Sequence, residues 1–344
     1  MKQAALNLMR VTGAFSMLRL INRGRALILT YHRFSQEEDG VSTSASAFAE
    51  QLAFLAAHYR VVPLAELVEQ LNGPGAKSSR LAAITIDDGY RDAYEIAYPL
   101  LRRAGLPATV FVVTEFLDGR IWLWTDKLRF LALGAPAQEL SATINGYRIR
   151  LPLGDRASRL QAAAAVNAQL KELSDEEKEE AIKLIAESLG VTVPQTPPSE
   201  LSAINWEQAR EMDAHGVSIG SHTLTHPILT QINGPRLRRE LQDSRLRLEE
   251  ALQHPVQQFC YPNGGLNAQV RAEVERAGYT SAVSCETGLN RSGADPLTLR
   301  RVHADDDLSH FIQSTCGFEE VKDTVRAYLH PSSQTSPSAE SRIS

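Results

Sequence analysis

The stretch Leu81-Ala82-Ala83-Ile84-Thr85-Ile86-Asp87-Asp88-Gly89 decides how this chain is organised. Its first six residues form a short apolar run bounded by a turn signal, which reads as a buried strand. The strand runs into two carboxylates and a glycine, after which a helix is expected from about Tyr90 to Ala104 and a second strand from Ala108 to Val113. Strand, polar turn, helix and strand together make the rhythm of a parallel sheet or barrel. In such folds functional loops gather at the carboxyl ends of strands, where Asp87 and Asp88 stand.

Working outward, Ala26 to His32 begins as another buried strand, and Phe48–Tyr59 and Leu64–Leu71 carry helical apolar spacing up to the breaker Asn72-Gly73-Pro74-Gly75. The rhythm lapses between Glu115 and Leu201. That stretch holds an Asn145-Gly146 hairpin signal and two expected helices, Arg156–Leu173 and Asp175–Leu189, the second entered through a Ser174-Asp-Glu-Glu177 cap. It reads as an insertion at 115–201, because alternation then resumes. Helices are expected at Trp206–His215, Pro235–Gln253 and Asn267–Ala277, and strands at Val217–Gly220, Gln257–Tyr261, Tyr279–Val283 and Leu297–Val302. The barrel-like unit thus spans 26–330, preceded by a basic helix at 1–25 and followed by a polar tail at 331–344 that reads as disordered.

Composition narrows the function classes. The 344 residues are 43% hydrophobic and 22% charged, ordinary values for a globular protein. A formal charge of −5 gives no global attraction to nucleic acid, so no nucleic-acid partner is expected. Cys260, Cys285 and Cys316 are widely spaced and argue against a disulfide framework or a cysteine zinc site. Lys2, Arg10, Arg19, Arg23 and Arg25 stand without an acid in the first 25 residues, and polar residues interrupt any signal-peptide core. A cytoplasmic location is expected, with peripheral contact to an anionic membrane through this helix as its sharper form.

The chemistry-bearing residues fall in two places. Asp-Asp-Gly alone is as well explained by helix capping. The second place is Gly220-Ser221-His222-Thr223-Leu224-Thr225-His226-Pro227, after a short strand. Two histidines four apart are common metal-ligand spacing, and Pro227 disfavours α geometry at His226, so a turn is expected there. With a strand-end carboxylate they make a two-histidine, one-carboxylate site that keeps positions open for water and a spare carboxylate beside it.

Thr85-Ile-Asp-Asp-Gly89 and Ser221-His-Thr-Leu-Thr-His226 resemble the first two signature motifs of the polysaccharide deacetylases, carbohydrate esterase family 4. Pro107-Ala-Thr-Val-Phe-Val112, Trp206 with Gly216-Val-Ser-Ile-Gly220, and Phe259-Cys-Tyr-Pro-Asn-Gly264 are similar to the linking strand, the lead into the histidines and the third motif. The resemblance implies an α/β fold, a distorted (β/α) barrel of about seven strands carrying the helical and hairpin insertion. It implies metal-dependent removal of acetyl groups from a glycan. Asp87 would be the base, Asp88, His222 and His226 the metal ligands, and the backbone N–H of Asn263 an oxyanion donor beside Tyr261 and Pro262 on the substrate side. Zn²⁺ is the expected cofactor, with Co²⁺ or Ni²⁺ as substitutes.

Two departures stand out. The family's third motif commonly begins with an arginine that orients the base, but residues 259–261 hold none. At the last expected strand His303 is preceded two residues earlier by Arg301 and not by the leucine of the family's general-acid motif, which leaves His303 and His32 as candidates; Tyr31-His32 resembles a Tyr-His pair of a subgroup acting on exported polysaccharides. Trp122, Trp124 and Asp126 at the start of the insertion stack on or hydrogen-bond a sugar in one reading and anchor the insertion in the other. The expected substrate is an N-acetylated glycan or oligosaccharide. The same chemistry serves an O-acetyl esterase, and a non-catalytic glycan-binding module is the alternative of another class; the intact Asp87 argues against the module. Oligomeric state is not legible in the sequence.

Overall fold

The computed structural model describes residues 14–73, 80–144, 146–318 and 321. The expected tail at 331–344, the first part of the basic N-terminal helix, Pro74 and Gly75 of the breaker and Asn145 of the hairpin turn lie outside the described residues. In chain order the first half begins with α1 (Ala14–Ile21), β1 (Arg25–Tyr31), β2 (Phe34–Ser35), β3 (Thr43–Ser44), α2 (Ala45–His58), β4 (Arg60–Val61), α3 (Leu64–Asn72) and β5 (Leu81–Ile86). A π-turn at Ala93–Ala97 leads into α4 (Tyr98–Ala104), then β6 (Ala108–Val112), α5 (Thr114–Leu117), α6 (Trp124–Gly134), β7 (Glu139–Ile144), β8 (Tyr147–Pro152), α7 (Arg156–Leu170) and α8 (Asp175–Leu189). The rest comprises α9 (Trp206–Ala214), β9 (Val217–Ser221), α10 (Gly234–Leu252), β10 (Gln258–Cys260), α11 (Ala268–Arg276), β11 (Ser281–Thr287), β12 (Asn290–Arg291), β13 (Leu299–His303) and α12 (Leu308–Thr315).

Seven parallel strands close a barrel in the order β1-β5-β6-β9-β10-β11-β13, with β13 returning to β1. The closing register sets Leu27 against Ala82 and Tyr31 against Ile86 on one side of β1, and Leu29 against Val302 on the other. Short β4 extends the sheet beside β5, and β12 lies antiparallel to β1. Strand side chains alternate in direction, and the two sets separate into different clusters. Leu27, Leu29 and Tyr31 pack with Ala82, Ile84 and Ile86 under the surrounding helices, whereas Ala26, Ile28, Ala83, Phe111, Cys260 and Leu299 gather with Leu64, Leu67 and Leu71 of α3. The barrel is thus filled and closed by α3, leaving the carboxyl ends of the strands for the site.

One expected helix is not uniform. Tyr90–Ala104 splits into the π-turn and α4 because Pro99, at the start of α4, offers no N–H and its ring crowds the carbonyl four residues back; a wider turn relieves both.

Residues 124–193 form a second core of their own. Trp124, Leu128 and Leu131 of α6 pack with Leu140 and Ile144 of the hairpin, Val166 and Leu170 of α7, and Ile182 and Ile185 of α8. Capping boxes at Asp155 and Ser174 start the two longer helices. At the other end of the chain, α1 seats Phe15 on Ile312 and Cys316 while Met17, Leu20 and Ile21 stay exposed. Among the described residues no helix is long and apolar enough to cross a membrane.

Candidate metal centre and active site

The two motifs meet where β5 and β9 end. Asp88 follows β5 in the left-handed region at φ 72°, a conformation that aspartate tolerates better than most residues. Gly89 follows at φ 78°, and a Cβ there would stand 2.8 Å from Val112 Cγ1, so only glycine lets the chain turn this close to β6. After β9 the chain bends sharply, with Thr223 at φ 73° and His226 at φ 63°. Four of the six described non-glycine residues with positive φ (Asp88, Thr223, His226 and Asn263) belong to the site motifs. Such conformations cost roughly 1–3 kcal/mol each and persist only where the surroundings over-determine them.

Here the surroundings are polar. Buried Glu240 of α10 accepts the Leu224 and Thr225 N–H groups at 3.0 and 2.9 Å and the Thr225 hydroxyl at 2.6 Å. Thr223 Oγ1 accepts the His226 N–H at 2.9 Å. The histidine loop is therefore held by a carboxylate of the helix that follows it. Glu240→Ala is expected to weaken metal affinity by about 10- to 100-fold, the usual cost of losing an outer support, as read by metal titration of the purified variant.

His222 Nε2 and His226 Nε2 each lie 3.4 Å from Asp88 Oδ1, and this buried oxygen has no hydrogen-bond partner. Three ligand atoms arranged tetrahedrally at about 2.0–2.1 Å from zinc stand about 3.4 Å apart, so the spacing fits a divalent ion. The Cys260 carbonyl, which can only accept, takes the His222 Nδ1–H at 2.8 Å and turns the Nε2 lone pair toward Asp88. Burial, then neighbouring His222, pushes His226 down to about 4. All three side chains are buried.

Asp87 is also buried, and its carboxylate is gripped by Arg301 through Nη1–Oδ1 and Nη2–Oδ2 contacts of 2.7 Å each. Burial alone would raise the Asp87 pKa, but the guanidinium overrides it and holds the carboxyl well below the usual range. Arg301 lies in β13, steadied by the Ser284 carbonyl at 2.9 Å and by Thr85 Oγ1 at 3.1 Å. Cys260 fills the space on the β10 side, with its Sγ 3.4 Å from Asp87 Oδ2. The missing motif arginine is thus replaced from another strand. The sequence signal was strand alternation, which puts Leu299 and Arg301 on the buried side of β13 and Arg300 outside.

A cleft of about 710 Å³ opens over these groups. Tyr261 and Asn263 line it, as do His32 and His303. Tyr261 donates its hydroxyl to the Leu297 carbonyl at 2.8 Å, and Pro262 is buried in the turn behind. His32 Nε2 stands 3.7 Å from Asp87 Oδ2; the His303 ring lies 6.1 Å from that of His32. Burial and His32 push the His303 imidazole below its ordinary range.

The structure places the two tryptophans of the insertion as follows. Trp124 is 8% exposed in the core of the inserted unit, with the buried Lys178 ammonium 5.6 Å from its ring, and Trp122 packs against Phe130; both line a second cavity that shares His226 with the cleft. Their burial is what the anchoring reading requires. Trp124→Ala is expected to cost about 3–5 kcal/mol, measured by denaturant unfolding. Asp126 likewise points inward, accepting the Tyr90 hydroxyl at 2.5 Å and Arg129 at 3.1 Å. Arg33 caps this network, stacked 4.1 Å above the Tyr90 ring and bonded to Asp92 at 2.6 Å.

The comparisons with known proteins agree with this geometry. A model of the polysaccharide deacetylase family matches residues 75–142 and 149–282, more than half of the chain. The chain belongs to the polysaccharide deacetylase family. YxkH of Bacillus subtilis (strain 168), whose name places it among the polysaccharide deacetylases, is 21% identical over 232 residues, 67% of this chain and 54% of that protein; the chain thus spans about half the length of this curated relative. The fold resembles the deacetylase PplD of Streptococcus pyogenes in complex with acetate, at 18% identity and TM-score 0.57, covering 85% of this chain and 98% of that one. It also resembles IcaB from Ammonifex degensii, at 19% identity and TM-score 0.54, covering 85% and 97%.

Proposed function

We propose that this protein hydrolyses the N-acetyl group of an amino sugar within a polysaccharide or oligosaccharide, with Zn²⁺ as its cofactor. The observation that carries the reading is Asp87, an ionised carboxylate fixed by Arg301 immediately beside the Asp88–His222–His226 cluster on the floor of the cleft. A binding module needs no such buried, oriented base. Asp88, His222 and His226 would hold the ion, which when bound supplies Lewis acidity and acidifies water.

The residues of the chain do the rest. Asp87 takes the proton from the attacking water as the tetrahedral centre forms at the acetyl carbon. The Asn263 N–H donates to the developing oxyanion, and Tyr261 shapes the adjacent wall. His32 then protonates the departing sugar nitrogen, releasing acetate and a free amine. His32 is assigned before His303 because its ring nitrogen stands 3.7 Å from Asp87 Oδ2, whereas the His303 ring lies behind it, 6.1 Å from that of His32. His32→Ala is expected to slow turnover by about 10²- to 10⁴-fold with metal retained, whereas His303→Ala has the smaller effect; single-turnover acetate assays on both variants check this.

Acetate release from N-acetylglucosamine oligomers, set against release from O-acetylated xylan, tests the reaction itself. Faster release from the N-acetylated substrate is the expected result. Release from xylan alone makes the protein an esterase, and release from neither rejects the reading.

A further inference from the structure

The walls of the cleft come from different parts of the chain and carry opposite charge. On the barrel side Asp305 and Asp306 follow β13, and both have protein partners: Asp306 accepts the Ser44 N–H at 3.2 Å and Asp305 accepts the Asp307 N–H at 2.9 Å. The opposite wall is supplied by the inserted unit through Thr125, Arg129, Asn167 and Lys171. Arg129 commits Nη1 to Asp126 and keeps the remainder of its guanidinium free of hydrogen bonds to described residues. Lys171 is half-buried, and its ammonium forms no ion pair with any described residue. Asn167, one turn earlier on the same face of α7, has a buried Oδ1 without a partner.

A cation at the end of a helix is favourable in itself, so the position of Lys171 at the C-cap of α7 does not by itself make a site. Its lack of an acceptor among the described residues does bear on the matter, because the charge on the cleft wall is left to meet a ligand. The carboxamide one turn away, equally without a partner, faces the same space. We propose that this wall is a subsite for an anionic group, a carboxylate or a phosphate, carried by the glycan beside the acetylated sugar. In this subsite Lys171 and Arg129 receive the anionic oxygens and Asn167 accepts a sugar hydroxyl. The inference rests on the deacetylase reading above and deepens it: the inserted unit selects an acidic glycan over a neutral one.

The test uses the full chain loaded with zinc and three probes of equal length: a neutral N-acetylglucosamine oligomer, one alternating with glucuronic acid, and one bearing a phosphate monoester. At least one acidic probe is expected to exceed the neutral probe in kcat/KM by roughly ten-fold, the scale of a charge-assisted hydrogen bond. Lys171→Met is expected to bring that ratio toward one and Lys171→Glu to invert it, and raised salt to shrink it. Which acidic probe is favoured identifies the source of the anion. Equal rates on all three probes, or a ratio unchanged in a folded Lys171→Met variant, overturns the inference. If no probe loses acetate, the deacetylase reading has failed. Calorimetric affinities for the same probes then decide the subsite separately: acidic preference abolished by Lys171→Met sustains it, and no preference overturns it.

Discussion

Asp87→Asn is expected to keep its metal and to lose about 10²- to 10⁴-fold in acetate release, the range that a general base contributes. The amide fits the space of the carboxylate and still accepts one hydrogen bond from Arg301, but it cannot take a proton from water. Asp88, His222 and His226 are untouched by the change. The neighbouring substitution Asp88→Asn is expected to behave in the opposite way, because it removes the anionic oxygen that lies 3.4 Å from both imidazole nitrogens, and the ion should be lost or exchange readily. Metal analysis and acetate release on the two purified variants separate the roles. Near-wild-type rates in metal-loaded Asp87→Asn reject the base assignment, and undiminished metal affinity in Asp88→Asn rejects the ligand assignment.

Arg301→Met is expected to lower acetate release by about 10²-fold with the metal in place, since a base displaced by even 1 Å costs that much. It also leaves Asp87 as a buried, uncompensated charge, which destabilises a fold by about 3–5 kcal/mol, so a fall in thermal stability should accompany the loss. Arg301→Lys restores a positive charge without the planar fork that matches both carboxylate oxygens and should recover the stability better than the rate. A positioning residue acts through the group it positions. The double variant Asp87→Asn with Arg301→Met should therefore be no slower than Asp87→Asn alone, a non-additivity that a purely structural role would not produce. Additive losses in rate would mean that Arg301 acts on the substrate by another route.

Much of this protein was legible from local pattern. The strand Leu81–Ile86 was read with its observed bounds, because a short apolar run ending in Asp-Asp-Gly has few other solutions. The hairpin and both long helices of the insertion were likewise fixed by turn and capping residues close in sequence, with the first helix ending three residues earlier than expected. The spacing of His222 and His226 and the turn that Pro227 imposes at His226 were readable for the same reason, as was the pairing of those histidines with a strand-end aspartate. Trp124 and Asp126 were legible as residues needing a partner, yet not as to which partner; the sequence left sugar contact and anchoring equally open.

The sequence by itself determined the alternation of strand and helix, the place of the insertion and the two motifs, because each of these is a short-range matter of periodicity, capping and turn chemistry. Only the tertiary structure decided what holds Asp87 and what supports the histidine loop. Arg301 is separated from Asp87 by 214 positions and Glu240 from Leu224 by 16, and neither pairing leaves a trace in local pattern. Closure of β13 onto β1 brings the guanidinium to the carboxylate, and inside the barrel that charge has no cheaper partner than the opposite charge it meets there.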